Sequence, residues 1–336
     1  MLRTPNVTLT EALRPGEPHP LAGHKKYTLY LGCTISTEQW AYEMSAAKVL
    51  ERLGIEVEHK EGYSCCGITV RSQNAMGFLY MSARNLAIAE SSDNPVLTYC
   101  TGCRLSLHEA NHMLGANETL KGRINDKMKI EGLQYQGKLR VAHVLELLHD
   151  VIGPEEISTH IVRTFPGLRV APHNGCHAIR PLEVGQQDDP ENPQKLDRLL
   201  RLIGAETPYH SNKTDCCGAP MLLADDQAAF SLTGSKLQKL MQWKFDALVN
   251  ICPSCQKMFD NQKIASSTVG QKVELPVLYF TQLLGLAMGF GPEELGLDQC
   301  ESNVKRIIDW KGPQDSMVCS AAASPTAAPG ADVSVS

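Results

Sequence analysis

The chain has 336 residues, with 32 Lys and Arg against 37 Asp and Glu, a net charge of −5 and a pI near 6.1. No basic block runs through it, which argues against nucleic acid as a partner and against a polybasic hold on a membrane. The longest apolar run near the end, residues 283–290, is far short of the roughly 20 residues a spanning helix needs. With 43% hydrophobic and 21% charged residues, and 26 Gly and 19 Pro dispersed along the chain, the sequence reads as a globular protein of one large domain or two smaller ones. The start, Met1-Leu-Arg-Thr-Pro-Asn, lacks a basic segment followed by an apolar stretch, so a cytoplasmic protein is expected. In that reducing compartment twelve cysteines point to metal binding or redox chemistry rather than to structural disulfides.

In chain order, an N-terminal extension over 1–26 precedes a strand expected at 27–31, which runs into Gly32-Cys33. Ser36 with Gln39 three residues on has the form of a capping box, opening a helix with Trp40, Met44, Ala47 and Leu50 on its apolar face and Gly54 at its close. After Cys65-Cys66-Gly67 a helix is expected over 76–91. A short buried strand at 95–99 then leads into Cys100-x-x-Cys103. The same succession returns. A strand at 168–171 leads toward Gly175-Cys176, and a helix capped by Asn192, with Pro193 at its first position, carries Leu196, Leu199, Leu200 and Ile203 to Gly204. Cys216-Cys217-Gly218 is followed by a helix over 221–243 and a strand at 247–251 that ends at Cys252-x-x-Cys255.

The cysteines therefore form two sets of five with one grammar: a single Cys, a Cys-Cys-Gly, and a Cys-x-x-Cys. The halves are offset by 143 residues at the first cysteine, 151 at the adjacent pair and 152 at the Cys-x-x-Cys, as in a duplicated unit with an insertion after Cys176. The fold class that follows is α/β, in two pseudo-repeated domains over 27–155 and 156–291, with 292–336 a C-terminal extension that is disordered from about 320. Cysteines at strand ends stand where open α/β sheets gather ligands, and the positive ends of the helices that follow favour thiolates.

Adjacent α-carbons about 3.8 Å apart lie below the roughly 4.4 Å an ordinary disulfide requires, which argues against bridges within Cys65-Cys66 or Cys216-Cys217. Structural zinc is the plainer alternative for a Cys-x-x-Cys, but a tetrahedral zinc takes four ligands and each set offers five thiols. A multi-iron cluster uses them all, although the spacing is not that of a ferredoxin. No Gly-x-Gly-x-x-Gly or Walker pattern is present, so no flavin, nicotinamide or ATP site is expected on this chain.

The two Cys-x(31–39)-Cys-Cys-Gly-x(33–34)-Cys-x-x-Cys units resemble the cysteine-rich CCG domain, and from about Tyr27 to Gly291 the chain resembles the B subunits of heterodisulfide reductases. Tyr30-Leu-Gly-Cys33, Ala83-Arg-Asn-Leu-Ala-Ile-Ala89, Asn174-Gly-Cys-His177 and the run from Pro276 to Phe290 carry that likeness beyond the cysteines. The resemblance implies two noncubane [4Fe-4S] clusters near the interface of the two domains. One would be held by Cys33, Cys65, Cys66, Cys100 and Cys103, the other by Cys176, Cys216, Cys217, Cys252 and Cys255. It also implies that the two clusters face a shared cavity and cleave a mixed disulfide of two thiol coenzymes (coenzyme M and coenzyme B in methanogens); the mechanism expected here is that the disulfide lies between the clusters and each sulfur is captured at an iron. Electrons would come through an iron–sulfur C subunit from a flavin-containing A subunit. The N-terminal extension and the segment 68–75 depart from the short methanogen subunits. They leave open a related protein running oxidatively in bacterial sulfur oxidation, or an electron-relay subunit of another oxidoreductase.

His177, next to Cys176, is a candidate proton donor to a nascent thiolate, against the plainer reading of loop structure; His173 precedes Cys176 by three. Arg104, Arg180, Lys213 and Lys257 lie near the cysteines in sequence and read as surface positions, with attraction of anionic substrates as the alternative. The insertion 177–191, with Asp188 and Asp189, reads as an acidic surface loop rather than a lid. Cys300 and Cys319 stand outside the repeat as free thiols, and Trp40, Trp243 and the helix methionines are expected in the core.

Overall fold

The computed structural model describes residues 18–312 apart from 182, 183, 185 and 186. It holds two all-parallel sheets of one topology. In the first, β1 (Lys26–Leu29), β2 (Glu56–His59), β3 (Val96–Thr98) and β4 (Val141–His143) lie in the order β2-β1-β3-β4. In the second, β5 (Val170–His173), β6 (Ala247–Asn250) and β7 (Val277–Tyr279) lie in that order. A parallel bridge from Arg169 to Glu206 occupies the place beside β5 that β2 occupies beside β1. Among the described residues no helix is long and apolar enough to cross a membrane.

Strands β3 and β6 are buried along their whole length, as parallel strands covered by helices on both faces must be. Their side chains alternate between two cores. Leu97 and Val249 join a core that also takes Tyr42, Tyr99, Leu199 and Tyr279, whereas Val96 and Leu248 join the core that contains six of the cysteines. Both cores draw on both halves, so neither half closes its hydrophobic surface alone. The division expected at 155/156 falls inside a short helix, Pro154–Ser158.

The halves clasp reciprocally. The Trp40–Arg52 helix of the first packs on the Phe280–Ala287 helix of the second. There Tyr42 stacks on Tyr279 at 3.9 Å, Ser45 and Thr281 share a 2.7 Å hydrogen bond, and Arg52 donates to the Met288 carbonyl at 3.1 Å. The Lys195–Leu202 helix of the second half packs on the Pro154–Ser158 helix and the segment before it. Both extensions take part where they are described: Leu21, Leu295, Leu297, Ile307 and Trp310 are buried in the shared core. The expectations for Cys319 and for disorder from about 320 fall outside the described residues.

Several local expectations need correction. Ser36 caps nothing: the chain is already helical over Gly32–Glu38, and the Ser36 hydroxyl donates to the Gly32 carbonyl at 2.9 Å. Gln39 is the non-helical link to the next helix and accepts a hydrogen bond from the Tyr279 hydroxyl at 2.6 Å. The buried stripe of that helix is Ala41, Tyr42, Ser45, Ala46, Val49 and Leu50, which turns Trp40, Met44 and Ala47 outward; Trp40 is 50% exposed. Trp243 is also exposed. Leu196, Leu199, Leu200 and Ile203 are all buried, but the cap of their helix is Asp188 rather than Asn192. The Asp188 carboxylate accepts from the amides of Gln194 (2.7 Å) and Lys195 (2.6 Å), an anion at the positive end of a helix. Asp189 accepts from Glu191 (2.8 Å) and Asn192 (2.7 Å), so both aspartates are occupied by backbone amides at the end of the insertion and the start of the helix after it. The helix expected from 221 begins at Asp226, capped by Asp225, because residues 219–221 form a separate tight turn.

Candidate metal centres

In the first sheet the crossover reverses direction between β1 and β3, and in the second the Arg169–Glu206 bridge on the outer side of β5 gives the same reversal between β5 and β6. A crevice opens at the carboxyl ends of strands flanking such a reversal. Cys33 follows β1 and Cys100 follows β3; Cys176 follows β5 and Cys252 follows β6. Residues distant in sequence meet for that reason. Cys100 and Cys252 are each the last extended residue before a helix, Thr101–Gly115 and Pro253–Asp260, so Cys103 and Cys255 lie in the first turn.

The Cys-Cys-Gly turns bring the remaining pairs in. Gly67 and Gly218 have φ of +86° and +96°, a region that favours glycine. Their amides donate back to Cys65 and Cys216, each at 3.4 Å. A Cβ on Gly218 would lie 2.4 Å from the Ala229 carbonyl oxygen; one on Gly67 would meet Met81 and Phe78 at 3.2 Å. The middle residue is pinned in both halves by the following helix: Ser82 donates to the Cys66 carbonyl and Thr233 to the Cys217 carbonyl, both at 2.7 Å.

The ten cysteines singled out in the sequence form one continuous series of thiol contacts. Cys33 touches Cys65, then Cys66, Cys103 and Cys100 follow. Cys100 touches Cys252 across the two halves, and Cys255, Cys217, Cys216 and Cys176 continue the series. Three thiols are held below their ordinary pKa by two thiol neighbours each: Cys66 by Cys103 and Cys65, Cys216 by Cys176 and Cys217, and Cys252 by Cys100 and Cys255. Burial runs inward, from exposed Cys33 and half-buried Cys65, Cys176 and Cys216 to buried Cys66, Cys100, Cys103, Cys217, Cys252 and Cys255. Every described cysteine is an unbridged thiol, including Cys300, which lies apart against Gln282.

His177 is half-buried beside the junction. A Cβ on Gly102 of the first half would come within 3.4 Å of its Nδ1, and burial lowers its pKa. His173 is buried, with Nε2 3.3 Å from the Cys255 sulfur and Nδ1 3.0 Å from Lys236 Nζ. Ligand atoms of His173, Cys217 and Cys255 all lie within 4.8 Å of one another. Lys236 also donates to the Asp215 carbonyl at 3.1 Å, and burial pushes its pKa down to about 8. Nothing near Lys236 in sequence marks it. Aligning the two Cys-Cys-Gly turns is the signal that finds it, since it falls opposite Asn85.

Two of the cations expected at the surface are buried instead. Arg104 donates to the Val184 carbonyl at 3.2 Å and lies 3.8 Å from Glu146, and Lys213 is paired with Asp197 at 2.8 Å. Arg180 and Lys257 are on the surface, paired with Glu191 and Glu38.

A sulfur-rich, largely dry set of donors suits a thiophilic metal group. With five thiols on each side of the Cys100–Cys252 contact, one thiol per half is left over by a tetrahedral zinc and used by a multi-iron cluster. Buried Asn174, two residues before Cys176, has both side-chain amide atoms without a partner among the described residues, which leaves polar capacity beside that set.

The CCG family, a cysteine-rich domain, matches residues 27–108 and 170–260. The chain is 33% identical over 296 residues to a protein of Archaeoglobus profundus that is like the B subunit of heterodisulfide reductase, covering 85% of this chain and 99% of that one. It is 34% identical to the B subunit of the ferredoxin:CoB-CoM heterodisulfide reductase of Methanosarcina mazei, over 82% and 93% of the two chains. It is 30% identical to the 8-methylmenaquinol:fumarate reductase membrane anchor subunit of Wolinella succinogenes, over 82% and 96%. A hypothetical protein from Helicobacter pylori shares the fold, with a TM-score of 0.64 at 18% identity over 85% of this chain and 53% of that one.

Proposed function

Because the chain belongs to the CCG cysteine-rich domain family, among the B subunits of heterodisulfide reductases, we propose that it is the catalytic B-type subunit of a heterodisulfide reductase-like complex. Its reaction in this reading is the two-electron reduction of a disulfide to two thiols. Cys33, Cys65, Cys66, Cys100 and Cys103 would hold one noncubane [4Fe-4S] cluster, and Cys176, Cys216, Cys217, Cys252 and Cys255 the other. The observation that carries the reading is the unbroken series of ten thiols, five from each half, meeting at Cys100 and Cys252.

Clusters bound at these thiolates supply and accept single electrons. The chain's own residues supply the rest. The Gly67 and Gly218 amides fix Cys65 and Cys216, while the Ser82 and Thr233 hydroxyls fix the backbones of Cys66 and Cys217. His177, whose ring lies beside Gly102 of the other half, would in this reading hold a proton for a departing thiolate. In this reading a substrate would approach past exposed Cys33 and half-buried Cys65, Cys176 and Cys216, with the remaining six thiols buried behind them. No nucleotide-binding motif is present in the chain, so electrons come from partners, in this reading a C-type iron–sulfur subunit and a flavin-containing A-type subunit. A reducing cytoplasm keeps ten crowded thiols from pairing.

The test is anaerobic purification followed by iron analysis, spectroscopy and disulfide turnover with an artificial electron donor. About eight irons per chain are expected for two four-iron clusters. Cys216→Ser with Cys217→Ser should remove about half of that iron and abolish turnover; unchanged turnover sinks the reading. A second reading is supported by the likeness to the fumarate reductase anchor: the chain relays electrons and binds no disulfide. It predicts the same iron content and paramagnetic spectra indifferent to any disulfide or thiol.

A further inference from the structure

The two halves share one cysteine grammar but not one set of neighbours. The offset of 143 that carries Cys33 to Cys176 also carries Tyr30 to His173, and the offset of 151 at the adjacent cysteines carries Ser64 to Asp215 and Asn85 to Lys236. In the first half these positions form a neutral network closed on the backbone. Tyr30 donates its hydroxyl to the Ser64 carbonyl at 2.7 Å, and Asn85 donates to the same carbonyl at 3.2 Å and to the Cys65 carbonyl at 3.1 Å. No bond of that network ends on a cysteine sulfur. In the second half, Lys236 spans the Asp215 carbonyl (3.1 Å) and His173 Nδ1 (3.0 Å), and His173 Nε2 reaches the Cys255 sulfur at 3.3 Å.

Elementary hydrogen-bond accounting sets the direction of this relay. A lysine ammonium has three donors and no acceptor, so the ring nitrogen facing it must accept. The single proton of a neutral imidazole then sits on Nε2, aimed at Cys255. Both residues are buried, 2% and 3% exposed, and the His173 ring is held edge-on to Phe259 with centroids 4.9 Å apart. The donor is therefore locked in place before any metal group arrives.

We propose that Lys236 and His173 are positioning residues that make the two metal centres unequal: the second half, with a hydrogen bond to a ligand sulfur and a buried cation behind it, is reduced before the first. The inference rests on the two-cluster reading above. Hydrogen bonds to cluster sulfurs and nearby positive charge stabilise the extra electron and raise the reduction potential. A duplicated chain thereby directs the first electron to one chosen side of a shared site.

The experiment is a redox titration of the full chain, purified anaerobically with its clusters and followed by electron paramagnetic resonance alongside iron analysis. The unmodified protein should show two midpoints. His173→Leu and Lys236→Met should each lower one midpoint and leave the other in place, by a tenfold or greater loss in the one-electron equilibrium constant, about 60 mV or more. His173→Gln, whose amide can reach the same sulfur, should restore most of the loss. Should His173→Leu fail to load, Lys236→Gln is read in the same way. Variants with full iron and two unmoved midpoints, or with both midpoints moved equally, overturn the assignment while the two-cluster reading stands. Iron well below two clusters in the unmodified protein overturns both.

Discussion

Gly67 and Gly218 occupy the same place in the two Cys-Cys-Gly turns, yet the structure assigns them different tolerances. An alanine at either pays a left-handed penalty of about 1–2 kcal/mol, since φ is +86° and +96°. At Gly218 the new methyl would also stand 2.4 Å from the Ala229 carbonyl oxygen and 3.1 Å from its carbon, both backbone atoms of the Asp226–Gln242 helix. A helix backbone has no rotamer to yield with, so overpacking adds about 1–3 kcal/mol. At Gly67 the nearest atoms, the Met81 Cβ and the Phe78 Cα, also belong to a helix but stand at 3.2 Å, so that helix need give by only a few tenths of an ångström. Gly218→Ala should therefore destabilise by about 2–5 kcal/mol and Gly67→Ala by about 1–2 kcal/mol. The assay is anaerobic urea unfolding of metal-free protein, where loss of the clusters does not confuse the midpoint. Equal effects, or the reverse order, would refute the reasoning.

Lys213→Met should cost about 3–5 kcal/mol, because it strands the Asp197 carboxylate in a buried site, and adding Asp197→Leu should recover much of that loss in the same unfolding measurement. Asp188→Ala removes the acceptor for two amides at the start of the Lys195–Leu202 helix and should cost about 0.5–2 kcal/mol, with hydrogen exchange rising first in that helix. His108, His143 and His210 are each pushed down to about 4, chiefly by burial. Their folded pKa lies below the unfolded value of about 6.5, so the unfolded chain takes up protons that the native state refuses. Stability should be undiminished by these groups above about pH 6.5 and fall as pH drops toward 4, by up to about 3 kcal/mol for each. A denaturation midpoint flat across that window would count against it.

The duplication and its cysteine grammar were fully legible in the sequence, because ligand spacing is written along the chain and survives whatever the helices do. The α/β class, the strands that end at Cys100 and Cys252, and the apolar face of Leu196, Leu199, Leu200 and Ile203 followed from local periodicity. Other features were not local. The stripe that turns Trp40 outward was chosen by Tyr279 and Thr281, more than two hundred residues away, against which Tyr42 and Ser45 pack. The cap of the Lys195–Leu202 helix came from Asp188 because the insertion folds back on it, and Arg104 and Lys213 went inside because Glu146 and Asp197 were waiting there. The contact of Cys100 with Cys252, and the pairing of Lys236 with His173, exist only once two sheets set their carboxyl ends toward each other. Sequence order decides which side chains belong to each half; the closing of one half upon the other decides which of them touch.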